Sequence, residues 1–330
     1  MYELIKKYTS AFSVTGREKY LADIIESDLK AYADSVSRDA MGNLFVFKKG
    51  KSSEKKLMIA AHMDEIGFIV THIDDNGFIR VSNVGGINAL YSSYQTVRFE
   101  NGTKGVIVTD ASAKSDVKVK DLVIDIGASS KKEAQRKVNI GDLCSIVPNV
   151  TRLMNKRISA KALDDRLGCA VAAAALKKCE TPAYDTYFVF TVQEEVGCRG
   201  AIPASFAVMP DYAIAIDVTA TGDSVGAKAM EVKLGKGAAV KLKDSSVICS
   251  QLMVDAMVSC AKNNKIPYQL EVLEAGGTDT HSMQLAGGGS HAGCISIPTR
   301  YIHSPVETVD LKDVEACVEL LTALVQEGIE

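Results

Sequence analysis

The sequence predicts an α/β fold with a small all-β domain inserted into it. Two observations carry that expectation. Four apolar runs rich in β-branched residues each lead to a side chain able to bind a cation or move a proton. They are Leu57-Met-Ile-Ala-Ala-His62, Tyr187-Phe-Val-Phe-Thr-Val-Gln-Glu-Glu195, Tyr212-Ala-Ile-Ala-Ile-Asp217, and Cys294-Ile-Ser-Ile-Pro298 with His303 in the loop after it. Such runs read as strands buried on both faces, and open α/β sheets form their sites beyond the carboxyl ends of parallel strands. Between these runs, from about residue 66 to 147, the texture changes to short strand-like segments broken by turns.

In chain order, Met1 to Lys30 is an amphipathic helical pattern and Asn43–Phe47 a strand, followed by a solvated turn over 48–56 and the strand ending at His62. Residues 66–73, 78–81, 95–99, 105–108 and 122–126 then read as short strands, with Asp75-Asn-Gly77 and Asn101-Gly102 as turn signals. One short helix, about 131–137, precedes the last strand-like run at 140–147. The block 67–158 is therefore expected to be a small β-barrel or sandwich, with 1–66 and 159–330 forming the α/β domain around it. Beyond it the sequence predicts helices over 165–178, 250–263 and 311–326, the last with Asp310 as its N-cap. The strands 187–192 and 212–216 lie between the first two, and a Gly-rich connection follows them.

Length and composition set the class. A chain of 330 residues is long enough for two domains, and 47% hydrophobic with 24% charged residues is ordinary for a globular protein. The formal net charge of −3 gives no reason to expect nucleic acid or an anionic membrane as partner. Eight scattered cysteines without a Cys-x-x-Cys pair suggest reduced thiols and a cytoplasmic enzyme. The N-terminal pattern has no apolar core of a signal peptide, and no run approaches the length of a membrane span.

The chemistry-bearing residues point to a metal site. His62-x-Asp64 pairs a ligand with a carboxylate able to orient it, although a satisfied histidine beside a surface acid looks the same. In Leu163-Asp-Asp-Arg166 one acid serves as a helix cap, which leaves Asp164 free to bridge two cations. Glu194 and Glu195 divide into a general base and a ligand, as hydrolysis at a two-metal centre requires. His62 and Asp217 would hold one ion, Glu195 and His303 the other, with Asp164 between. A set of imidazoles and carboxylates without thiolate suits Zn²⁺, Co²⁺ or Mn²⁺ in an open catalytic site. His72 lies in the inserted block and reads as structural, while His281 and His291 sit in Gly-rich loops as pocket-lining residues.

With these pieces assembled, the chain closely resembles the M42 family of metallo-aminopeptidases. The matching segments are Ala60-Ala-His-Met-Asp-Glu-Ile-Gly67, Lys161-Ala-Leu-Asp-Asp-Arg166, Gln193-Glu-Glu-Val-Gly197, Ile216-Asp-Val218, Gly277-Thr-Asp279 and Ile297-Pro-Thr-Arg-Tyr-Ile-His-Ser-Pro-Val-Glu307. The resemblance implies a mixed-sheet α/β/α metallopeptidase domain that removes N-terminal residues from peptides at a centre of two divalent ions per subunit. It assigns His62, Asp164, Glu195, Asp217 and His303 as ligands, Glu194 as base, and Asp64 as support for His62. It also implies that the inserted β domain serves assembly, commonly into a tetrahedral dodecamer. Every expected ligand lies outside that insert, so the insert is not expected to build the metal centre. Where many relatives have small residues after Gly-Thr-Asp279, this chain has Thr280 and His281. The same two-metal chemistry would serve a carboxypeptidase or an amide deacylase. A binding protein with a vestigial site is the reading from a different class, and Glu194 argues against it, because binding needs no base.

Overall fold

The computed structural model describes residues 1–112 and 116–329. Its frame is an 11-stranded mixed sheet. At the centre lie four parallel strands in the order Tyr184–Thr191, Ser52–His62, Tyr212–Thr219 and His291–Arg300. Their alternation sorts the core into two layers. Leu57, Ile59, Ala61, Phe188, Phe190, Ile214 and Ile216 face the larger cluster, with the helices Leu163–Lys178 and Leu311–Glu327. Met58, Ala60, Val189, Ala213 and Ala215 face the other way, against Ala204, Val208 and Met283. The sheet is thus covered by helices on both faces.

The carboxyl ends of the parallel strands therefore meet at one edge. In register, Ala60 stands opposite Ala215. The ladder ends there, and two residues further along each strand His62 and Asp217 approach each other, with His62 Nε2 3.9 Å from Asp217 Oδ1.

The inserted block forms a closed barrel of six strands, Gly67–Ile73, Ile79–Val84, Leu122–Asp125, Lys104–Thr109, Gln95–Phe99 and Leu143–Ile146 in cyclic order. Closure removes exposed strand edges. Phe68, Val70, Ile79, Val97, Phe99, Ile107 and Ile124 fill its interior. The chain returns through Thr151–Arg152 and Arg157–Ala160, which pair in the large sheet.

Several elements differ from the sequence expectation. The N-terminal pattern is two helices, Tyr2–Ser10 and Lys19–Leu29. Between them Val14 forms a parallel bridge with Glu65, and Gly16 takes φ 85°, a left-handed conformation that glycine adopts without strain. The Gly-rich stretch leads into two unforeseen strands, Ala238–Lys243 and Tyr268–Val272, and Ala201–Val208 is an unforeseen helix. Asp310 caps the last helix as expected, accepting from the backbone N–H of Lys312 at 3.0 Å. All eight cysteines are free and buried. Among the described residues, no helix is long and apolar enough to cross a membrane.

Candidate metal centre

His62 ends its strand with an almost fully buried ring, 2% exposed. Its Nε2 lies 3.0 Å from Asp164 Oδ1, and 3.9 Å from both Asp217 Oδ1 and Glu194 Oε2. On the other side of the ring, Nδ1 faces the Asp64 carbonyl at 3.2 Å and the Asp64 carboxylate at 3.5 Å. Asp64 in turn accepts from Thr15 Oγ1 at 2.8 Å and from the backbone N–H groups of Glu194 and Glu195 at 2.9 and 3.2 Å. One buried carboxylate so fixes both a histidine and the turn carrying the paired glutamates.

Those glutamates do not extend a strand. The strand stops at Thr191, Gln193 takes φ 57°, and Glu194–Val196 is one turn of 3₁₀ helix. The turn separates the two acids in place of the pleat. Glu194 Oε2 approaches His62, whereas Glu195 Oε2 lies 3.3 Å from His303 Nε2.

The acid pair at 164–165 divides as the capping argument requires. Both residues are non-helical, and the regular helix starts after them. Asp165 Oδ1 accepts from the Gly168 backbone N–H at 2.9 Å, the bond of an N-cap. Asp164 is left free, with Oδ1 toward His62 and Oδ2 3.3 Å from His303 Nε2. His303 sits on a loop at φ 61°. Glu307 holds loop and helix together by accepting from the backbone N–H of His303 at 2.9 Å and of Asp164 at 3.0 Å.

Burial and mutual repulsion govern the charges. Desolvation and neighbouring carboxylates push the acids of Glu194 and Asp217 well above the usual range, and burial raises Glu195 too. Burial disfavours the charged rings of His62 and His303. Even so, Asp164 and the other carboxylates outweigh it, holding His62 well above its ordinary value and pushing His303 up to about 11. Asp164 shows the reverse balance: burial opposes its charge, and the two histidines hold it low. Four carboxylates crowded around two imidazoles form a site short of positive charge. Donor atoms of His62, Asp164 and Asp217 lie within 4.8 Å of one another, as do those of Asp164, Glu195 and His303. Two oxygen- and nitrogen-donor triplets sharing one carboxylate fit a pair of divalent ions.

Other histidines stand apart. His72 belongs to a barrel strand. His281 lines the cleft but bonds locally to the Thr278 carbonyl. His291 corrects the pocket-lining expectation: it begins its strand beside Tyr212, at the amino end and away from the site, and pairs with Ser250 Oγ.

The cleft above these residues has a volume of about 570 Å³ and is walled by Val218, Ala220, Leu273, Gly277 and Ile302 among others. The barrel also reaches it, through Gly86. It supplies no ligand, but a Cβ placed on Gly86 would lie 2.6 Å from His303 Nδ1, and one on Gly85 would lie 3.2 Å from Glu195 Cβ. Sequence reasoning gave no role to Asp279 or Glu307. Both lie inside the quoted Gly-Thr-Asp279 and Ser-Pro-Val-Glu307 segments, which is the signal that could have found them.

Comparison with known proteins agrees with this geometry. The profile of the family described as M42 glutamyl aminopeptidase matches residues 42–320. A candidate aminopeptidase of Acetivibrio thermocellus is 47% identical over 97% of each chain. The solved structure of an aminopeptidase from the archaeon Desulfurococcus kamchatkensis superposes with a TM-score of 0.95 at 40% identity, covering 99% of this chain and 94% of that one. The TET1 peptidase of Pyrococcus horikoshii, which can assemble into a tetrahedron or a large octahedral shell, gives 0.90 at 36% identity over 99% of each chain.

Proposed function

This chain belongs to the M42 glutamyl aminopeptidase family and is a hydrolase acting on peptide bonds; from that premise we propose that it releases N-terminal residues from short peptides at a centre of two divalent ions. The observation that carries the reading is Asp164, whose two oxygens lie 3.0 and 3.3 Å from two different histidines. A carboxylate in that position is placed to bridge. His62 and Asp217 complete one ligand set with it, and Glu195 and His303 the other. Zn²⁺ or Co²⁺ fits the donors, with Mn²⁺ also compatible.

When bound, the ions supply Lewis acidity toward the scissile carbonyl and make a water acidic enough to attack at neutral pH. Glu194 takes the proton of the attacking water and returns it to the leaving amine. It suits that role because it lines the cleft and lies outside both ligand triplets. Asp64 holds the Glu194 backbone through its N–H and braces the His62 ring, so base and ligand keep a fixed spacing.

We assign residues 1–66 and 159–330 to catalysis and 67–158 to self-assembly into a homo-oligomer, with the tetrahedral dodecamer as the form most consistent with the relatives. The ability of the Pyrococcus horikoshii relative to form closed shells supports this, as do the exposed Leu90, Tyr91, Tyr94 and Ile140 on the insert. A panel of aminoacyl p-nitroanilides, with N-acetylated counterparts, tests the activity. Turnover of free-amine substrates only, requiring two ions per chain, is expected. Preference for the acetylated series would assign a deacylase instead.

A further inference from the structure

Beside the two ligand triplets lies a third cluster of donors that the hydrolytic reading leaves without a cation. Glu194, Cys198 and Asp279 each offer a ligand atom, and these atoms all lie within 4.8 Å of one another. A tight turn builds the cluster. The backbone N–H groups of Gly197 and Cys198 both donate to the Glu194 carbonyl at 2.8 Å, and Cys198 takes φ 52°. The thiol is thereby folded back onto the base, donating from Sγ to Glu194 Oε1 at 3.2 Å.

Asp279 approaches from the loop that precedes the Thr280–Gln284 helix. Its Oδ2 accepts from Thr191 Oγ1 at 2.6 Å, while its Oδ1 is buried with no hydrogen-bond partner among the described residues. The residue is only 3% exposed and Cys198 only 5%. A buried carboxylate oxygen left unpaired is unfavourable, and a bound cation would relieve it. Glu194 and Cys198 line the cleft, so an ion has a path to the cluster.

We propose that Glu194, Cys198 and Asp279 form a third cation site, specific for thiophilic divalent ions such as Zn²⁺, whose occupation withdraws the general base and switches the enzyme off. The proposal rests on the assignment of Glu194 as base. One sulfur and two carboxylate donors suit Zn²⁺ and Cd²⁺ and disfavour Mg²⁺ or Ca²⁺. On binding, a sulfur–metal bond forms and the thiol proton leaves to solvent. Coordination through one oxygen draws charge out of the Glu194 carboxylate, which is then too weak a base to take the proton of the attacking water. The ion that sustains turnover when scarce then arrests it when abundant.

The test adds Cd²⁺ or Zn²⁺ to enzyme already holding its two ions. Expected is one further Cd²⁺ per chain with a thiolate-to-metal charge-transfer band in the ultraviolet, and inhibition by Zn²⁺ over the corresponding range. Cys198→Ser keeps a hydroxyl donor for Glu194. It should lose the band and raise the Zn²⁺ needed for half-inhibition by ~10- to 100-fold, the usual cost of disturbing a metal's surroundings. Asp279→Asn should weaken the third ion in the same direction, and it decides the matter if the serine variant does not fold. Saturation at two ions, a third ion without a thiolate band, or equal Zn²⁺ inhibition in the serine variant would overturn the proposal. Absence of peptide cleavage at two ions would instead overturn the assigned activity, and the Cd²⁺ band would still report on the site.

Discussion

Asp164 touches both histidines, so its removal is expected to affect both ligand sets at once. Asp164→Ala should abolish turnover and lower metal content at both positions in a folded protein. Two ions per chain in that variant, measured by elemental analysis, would refute its bridging role. Glu194→Gln should behave differently, keeping fold and both ions while turnover falls by ~10²–10⁴-fold, the usual cost of losing a general base. If Glu195→Gln retains its metals and Glu194→Gln loses them, base and ligand have been exchanged. At this scale the sequence was most legible where a buried run ends on a polar residue, as at His62 and Asp217. It was least legible for Asp279, which acts from the loop before a short helix, and for Glu307, which opens a strand of 4 residues, too short for periodicity to mark. Asp165 was legible by subtraction: a cap needs one of the two acids, and Asp164 was read as the spare one.

Among the elements, the parallel strands at the centre could be read because they are continuous and apolar. The strands Ala238–Lys243 and Tyr268–Val272 could not, because Lys241 and Glu271 interrupt their pattern with charges. The structure pairs the two in the core at 2.6 Å, so each makes the other's burial tolerable. Likewise the first helical pattern hid a break, since the apolar Phe12 and Val14 read as part of a helix face although they cluster with Leu143 of the barrel. The Gly85–Gly86 segment shows the functional side of such details. Gly86→Ala would drive a methyl group into the His303 ring. Weaker binding of one ion by ~10- to 100-fold is expected, with the other retained, because only His303 is displaced. Isothermal titration with Zn²⁺ measures this, and two unchanged affinities would show that the ring has room to move.

At the scale of the whole molecule, stability carries a pH signature from Asp313. Burial pushes its acid up to about 6, against the backbone N–H groups of Gly235 and Gly237 that donate to it at 2.6 and 2.7 Å. Asp310 raises it further and Arg157 lowers it. An unfolded aspartate loses its proton near pH ~3.9. Between there and pH 6 the native state binds more protons than the unfolded one, so stability falls as pH rises, and it is level above that window. Asp313→Asn is expected to flatten this decline in melting temperature, and an unchanged profile would assign the pH dependence elsewhere. Assembly is the other global property. Light scattering should give a mass several times the 35.3 kDa of one chain, and charged substitutions at Leu90 and Tyr94 should reduce it toward the monomer. An unaltered mass would place the contacts outside the barrel.

The glycine wall that the barrel presents to His303 would join metal binding to assembly. If subunits meet through the barrel, as proposed, a contact that fixes it would also fix the surface against which His303 rests. Ion uptake and self-association would then share a free-energy term, each changing the other by the same factor. Dilution below the assembly threshold would become a way of loosening one ion without a chelator, and the metal content of a preparation a function of its own concentration.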